Sequence, residues 1–138
     1  MADATEFSPM GALDIAGLQD GFRGELLRPA DPGYEDARRV WNSSISRFPA
    51  LIARCAGVAD VISAVRFARD TGLLMAVRGG GHSFPGLSVC DGGFLIDLSP
   101  MKGIRVDPEA RTVRAQAGVL LGELDRETQA FGLAVPYG

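Results

Sequence analysis

The run Arg78-Gly-Gly-Gly-His-Ser83 gathers the residue types in this sequence best suited to chemistry. Gly79, Gly80 and Gly81 follow directly on an apolar run, Leu73 to Val77. Each glycine costs backbone entropy, so three in succession need a reason. Glycine reaches positive φ freely, and successive N–H groups can then turn inward as a nest that holds an anion. Without Cβ atoms the backbone can also approach a diphosphate closely. Parallel sheets bind ligands at this carboxyl edge. A tight turn by itself would need only one glycine. His82 is the single histidine of the chain, and its place inside the loop turns it toward whatever the loop holds. No aspartate or second histidine stands near it in sequence to make a hydrolytic relay, and Gly86-Leu-Ser-Val-Cys90 is not a nucleophile elbow. What remains is an imidazole nucleophile poised against a bound cofactor. Arg78 can reach a phosphate or pair with a carboxylate.

Other phosphate loops do not fit. No Lys-Ser or Lys-Thr follows the glycines, so this is not a P-loop. Gly79 and Gly81 match the start of a dinucleotide fingerprint, but Phe84 holds the third position and Pro85-Gly86 blocks the helix that should follow. A diphosphate would therefore be held by wrapped loop backbone rather than by a helix N-terminus.

The composition sets outer bounds. A chain of 138 residues, 46% hydrophobic and 22% charged, has the makings of one soluble domain. A net charge of −3 gives no basic footprint for nucleic acid, yet leaves room for a single nucleotide held by backbone N–H groups. No apolar run approaches the roughly 20 residues that span a bilayer, so no membrane partner is expected. Met1 to Glu6 is acidic and lacks the pattern of a secretory signal. Cys55 and Cys90 cannot make a disulfide framework, which points to the cytoplasm. One histidine and two scattered cysteines provide no four-ligand zinc site, and no metal is expected.

The elements that position the loop are legible in outline. Residues 1–45 read as a lead-in with one helix, in which Asp31 and Pro32 open a segment carrying Tyr34, Ala37, Val40 and Trp41 on one face. Trp41 is expected in the core. Ala50 to Cys55 reads as a strand. Residues 58–70 form the best helix, with Val58, Val61, Ile62, Val65 and Ala68 as its buried face and Gly72 as its stop. Leu73 to Val77 reads as a strand buried on both faces, and strand, helix and strand make a βαβ unit with a parallel pair. Phe94 to Leu98 is a further strand, and Ser99-Pro100 could cap a following turn. Ile104 to Val106 and Thr112 to Gln116 then alternate as an antiparallel hairpin, with Arg105, Arg111 and Arg114 on its solvated face. Leu121, Leu124, Thr128 and Phe131 mark a last helix, closed by Gly132. The order is α+β: a small parallel βαβ subdomain, then the start of an antiparallel one. A lone hairpin is marginal, so the simplest expectation is a piece of something longer.

Arg78-Gly-Gly-Gly-His-Ser83, Gly86-Leu-Ser-Val-Cys-Asp-Gly-Gly93 and Leu95-Ile-Asp-Leu-Ser99 resemble the FAD-binding domain of the berberine bridge enzyme-like oxidoreductases. These belong to the vanillyl-alcohol oxidase and p-cresol methylhydroxylase superfamily. The resemblance takes in Pro32 to Asn42 and Pro49 to Cys55 upstream, and Met101 to Arg111 and Thr128 to Ala134 downstream. It implies a PCMH-type FAD-binding domain over residues 46–138, incomplete at its C-terminal side. Arg78, Gly79, Gly80, Gly81, His82 and Ser83 would wrap the FAD diphosphate, with Gly86 and Leu87 beside them. Gly118 and the turn ending at Gly138 would lie near the flavin. His82 would carry a covalent link to the 8α carbon of FAD. The reaction implied is oxidation of an alcohol, a sugar or a similar small molecule, with hydride passing to FAD and molecular oxygen as a common acceptor. Within the superfamily the alternative is a noncovalent FAD reductase; outside it, a non-catalytic remnant. Relatives often carry Trp at the place of Leu121 and Gly at that of Tyr137. No catalytic base is assigned, and the chain alone is expected to be inactive.

Overall fold

The sheet that carries the glycine loop grows from short apolar runs. In the computed structural model, which describes residues 14–137, these are β2 (Leu51–Arg54), β3 (Met75–Arg78) and β4 (Phe94–Asp97). β4 lies between the other two and pairs with both in parallel. β1 (Glu25–Leu27) adds antiparallel to the far edge of β2, giving the order β1-β2-β4-β3. The sequence hides this strand, because Glu25-Leu-Leu27 is too short to show any alternation. The expected pairing of the strands flanking the long helix is also corrected: β4 is inserted between them.

That helix, α3 (Val58–Thr71), covers one face of the sheet. Leu51, Ala53, Phe94 and Ile96 meet Ala64 and Ala68 there, with α1 (Ala16–Gln19) adding Leu18 and Ile15 beside it. Full burial of a Leu, Ile or Phe side chain contributes about 1.5–3 kcal/mol, so this layer is the main source of stability. The buried face of α3 is the expected one only in part: Ala68 is buried and Val61 packs against the core. Val58, Ile62 and Val65 are exposed, whereas Ala64, Ala68 and Asp60 point inward. Small residues let the helix approach the sheet closely, and Asp60 is buried because its carboxylate accepts N–H bonds from Arg23, Gly24 and Ala56. Gly72 ends the helix in the left-handed conformation (φ 66°), as expected.

The opposite face packs Ile52, Leu95 and Ala76 under Tyr34, Ala37, Val89 and Cys90. Tyr34 opens α2 (Tyr34–Ala37), and its hydroxyl donates to the Pro49 carbonyl at 2.7 Å. α2 stops at Ala37, four residues before Trp41, and its N-cap is Gly33 rather than Asp31. The Asp31 carboxylate instead accepts the Arg28 N–H. β3 is an edge strand, so Ala76 and Arg78 are buried while Met75 and Val77 are exposed. The reading of this strand as covered on both faces is thus wrong; β4 alone is buried at every position.

β5 (Ile104–Asp107) and β6 (Thr112–Ala115) form the expected antiparallel hairpin. Asp107 accepts the Ala110 N–H, and Arg111 closes the turn at φ 54°. Arg105, Arg111 and Arg114 are exposed as expected. α4 (Leu121–Gln129) follows, its Glu123 carboxylate accepting the Leu120 N–H. Thr128 is its buried residue, Leu124 is half-buried, and Leu121 and Phe131 lie exposed. The molecule is α+β, a parallel sheet first and an antiparallel pair second.

Candidate functional site

Three neighbouring strand ends form the floor of the site. β2, β4 and β3 end in Arg54, Asp97 and Arg78, which share one register. Arg78 meets Asp97 as a fork, Nη2 to Oδ2 at 2.7 Å and Nε to Oδ1 at 3.2 Å. Arg54 reaches the same carboxylate from the other side, Nε to Oδ2 at 3.4 Å, and extends to Glu25 at 2.6 Å. Asp97 is fully buried, and burial pushes its carboxyl pKa up. The Arg78 hydrogen bond and charge, with the Ser99 N–H, outweigh this and hold it below the usual carboxylate value. Arg78, open between phosphate and carboxylate in the sequence, therefore pairs with a carboxylate here. Ser99 sits in a turn rather than capping a helix.

The glycine loop rises from that floor. Among the described residues, no protein acceptor takes the backbone N–H groups of Gly80, Gly81, His82 or Ser83. Gly81 is left-handed (φ 73°), the conformation expected of a turning N–H nest. A Cβ on Gly79 would lie 2.5 Å from the Ala117 carbonyl oxygen, so that glycine lets the hairpin connection sit against the loop. Unspent N–H donors on a side-chain-free backbone suit an anionic group such as a diphosphate. The loop borders a cleft of about 450 Å³ that reaches down to Arg54, Asp97 and Arg78 and is walled by Arg39, Val40 and Trp41.

The remaining sequence candidates surround this loop. The Ser83 hydroxyl accepts the Leu87 N–H at 3.0 Å. Gly86 is left-handed and buried over Ile45, while Arg47 donates to the carbonyls of Gly86 and Val89. Leu87 is exposed. Gly118 is buried where its N–H donates to the Met101 carbonyl, and its missing Cβ leaves space for the carbonyls of Leu98 and Ser99. Gly138 lies outside the described residues. His82 is exposed, and its ring stacks on Trp41 with centroids 5.4 Å apart. Trp41 is thus not a core residue: it is 66% exposed. Its backbone follows the short α2 and is fixed to the loop, so the indole lies on the surface. Trp41, Asn42 and Arg54 are site residues the motif search missed. Arg54 had a signal, since three apolar strand runs each end in a charge at the same place.

The thiols play no visible part. Cys55 is buried, with its thiol pKa pushed up to about 12 by that burial. Burial also raises the Cys90 thiol, which packs beside Gly93.

The family described as an FAD binding domain matches residues 49–138. This chain belongs to that FAD binding domain family. It is 39% identical over 117 residues to (R)-6-hydroxynicotine oxidase of Paenarthrobacter nicotinovorans, covering 85% of this chain and 26% of that protein. An FAD-linked oxidoreductase of Dictyostelium discoideum is 38% identical over 120 residues, again covering 26% of its length. The crystal structure of 6-hydroxy-D-nicotine oxidase from Arthrobacter nicotinovorans superposes with a TM-score of 0.77 at 38% identity, over 80% of this chain and 24% of that one. A berberine bridge enzyme-like protein of Physcomitrella patens gives 0.79 at 27% identity, over 88% of this chain and 27% of that one. The FAD-binding chain therefore spans about a quarter of the length of the curated relatives it matches.

Proposed function

We propose that this chain supplies the FAD-holding part of a flavin-dependent oxidoreductase, with the diphosphate on the loop from Gly79 to Ser83 and the flavin attached to His82. The observation that carries the reading is the run of N–H groups from Gly80 to Ser83 that no protein acceptor takes, with Gly79, Gly80 and Gly81 lining the cleft. Arg78 supports it from below: locked to Asp97 and donating to the Arg39 carbonyl at 2.8 Å, it fixes the base of the loop. Gly79 lets the Ala117 carbonyl approach the base of the loop, and Gly118 lets the same connection pack on the carbonyls that follow β4. When bound, FAD supplies a two-electron acceptor for hydride from a substrate carbon, of the alcohol or sugar type. The exposed imidazole of His82 is free to act as a nucleophile. In the attachment an imidazole nitrogen of His82 would bond to the flavin 8α carbon, with the imidazole N–H and one methyl hydrogen lost as protons and the two electrons passed by way of the flavin to dioxygen, giving hydrogen peroxide. The working location proposed is the cytoplasm; among the described residues no helix is long and apolar enough to cross a membrane.

The test is mass spectrometry of the acid-precipitated complete gene product carrying this sequence. FAD mass on the peptide holding His82, and its absence in His82→Ala, is the expected outcome. Flavin released entirely by acid from the unsubstituted protein would leave a noncovalent flavin enzyme. Protein that takes up no flavin at all would reject the FAD site.

A further inference from the structure

We infer that Trp41 is a positioning residue for His82: its indole face holds the imidazole in place for attack on the flavin. This rests on the reading of His82 as the attachment residue. An exposed imidazole on a glycine loop has no packing neighbours to limit its rotamers, and most of its orientations would be unproductive. Here one neighbour does limit them. The two rings stack with centroids 5.4 Å apart and planes inclined by 29°.

The segment bearing Trp41 is tied to the loop on both sides of that contact. The Arg39 carbonyl accepts from Arg78 Nη1 at 2.8 Å. The Trp41 N–H donates to the Gly81 carbonyl at 3.1 Å, and the Asn42 amide donates to the Phe84 carbonyl at 3.1 Å. The loop is therefore gripped before and after His82, and the ring contact falls between the grips. Core packing does not explain the indole, which leaves two-thirds of its surface in water (66% exposed). Trp41 transfers no proton or electron. Its face restricts where the nucleophilic nitrogen can go, and small losses of such alignment slow a bond-forming step strongly.

The stacking is tested first in the 138-residue chain, where His82 and Trp41 are the only histidine and the only tryptophan. The imidazole C–H proton resonances should lie upfield of free histidine through the indole ring current, and Trp41→Ala should move them back. Resonances that do not respond would overturn the proposal. The second measurement is the rate of covalent FAD incorporation in the complete gene product. Trp41→Ala should slow it by about tenfold or more at saturating FAD, with the melting temperature held. Trp41→Phe, which keeps a ring face, should restore most of the rate. An unchanged rate in Trp41→Ala overturns the positioning role while His82 attachment stands. A merely structural role would lower the melting temperature together with the rate, and would also overturn it. If the unsubstituted protein incorporates no covalent FAD, the His82 reading fails and this inference falls with it.

Discussion

The parallel strands of the sheet and the strands of the hairpin have the same length, four residues each, and reach opposite conditions. β4 is buried at every position, whereas β6 has one half-buried residue and three exposed ones. Burial fixes the first: Phe94, Leu95 and Ile96 find apolar neighbours on both sheet faces. Local turn chemistry fixes the second, through Asp107 and the left-handed Arg111. Functional placement follows the same division. The glycine loop springs from the deeply packed sheet, so its base is rigid, and the hairpin only leans against it through Ala117 and Gly118.

Removing the charge at the sheet's end should break that contrast most severely. Asp97→Ala leaves Arg78 buried and uncompensated, and a loss of about 3–5 kcal/mol is expected, measured by urea unfolding. The pH dependence has a definite sign. Asp97 has a folded pKa held below its unfolded value, so its contribution is fully present above the unfolded value and is lost as pH falls through the folded one. Stability of the unsubstituted chain should therefore drop as pH is taken below about 4, and the Asp97-linked part of that drop should be missing in Asp97→Ala. A variant as stable as the parent would mean that the ion pair does not hold the loop's base.

The sheet and loop were largely readable from sequence because their signals are local. Leu51 to Ala53 and Phe94 to Ile96 are unbroken apolar runs, and three adjacent glycines have few structural excuses. The failures share one cause, which is that tertiary packing decided them. Helical periodicity chose Val58, Ile62 and Val65 for burial beside Val61 and Ala68, but the face that meets the sheet carries Ala64 and Ala68 with Val61 and Phe67 packed beside them. Trp41 looked like core because it is large and apolar, yet backbone bonds to the glycine loop carry it outward. β1 became visible only through its pairing with β2. The covalent role proposed for His82 rests on family resemblance and was not legible in the residues themselves.

The seam between the two regions should show an intermediate effect. A Cβ on Gly118 would run into the carbonyl oxygens of Leu98, Ser99 and Met101, none of which can yield without shifting backbone. Gly118→Ala is expected to cost about 1–3 kcal/mol, the usual range for overpacking. Hydrogen exchange should quicken in the hairpin while β2 and β4 keep their protection. Uniform loss of protection in both would show that they unfold as one unit.

The smallest effect is expected inside the hairpin. Val106 and Val113 face each other across β5 and β6, and both are only half-buried. Val113→Ala removes part of one cross-strand contact, and such pairs contribute roughly 0.2–1 kcal/mol. The shortened side chain leaves no sealed cavity, because water reaches the neighbouring surface, so the extra penalty seen in cores does not arise. The turn bond from Ala110 to Asp107 and the Gly103-to-Gln116 bond remain, and they hold the register without the valine. Urea unfolding should show a loss below about 1 kcal/mol, with an unchanged dependence on denaturant. A loss above about 2 kcal/mol, in the range of a core truncation, would show that the hairpin is packed as tightly as the sheet. The division drawn between the two regions would then fail.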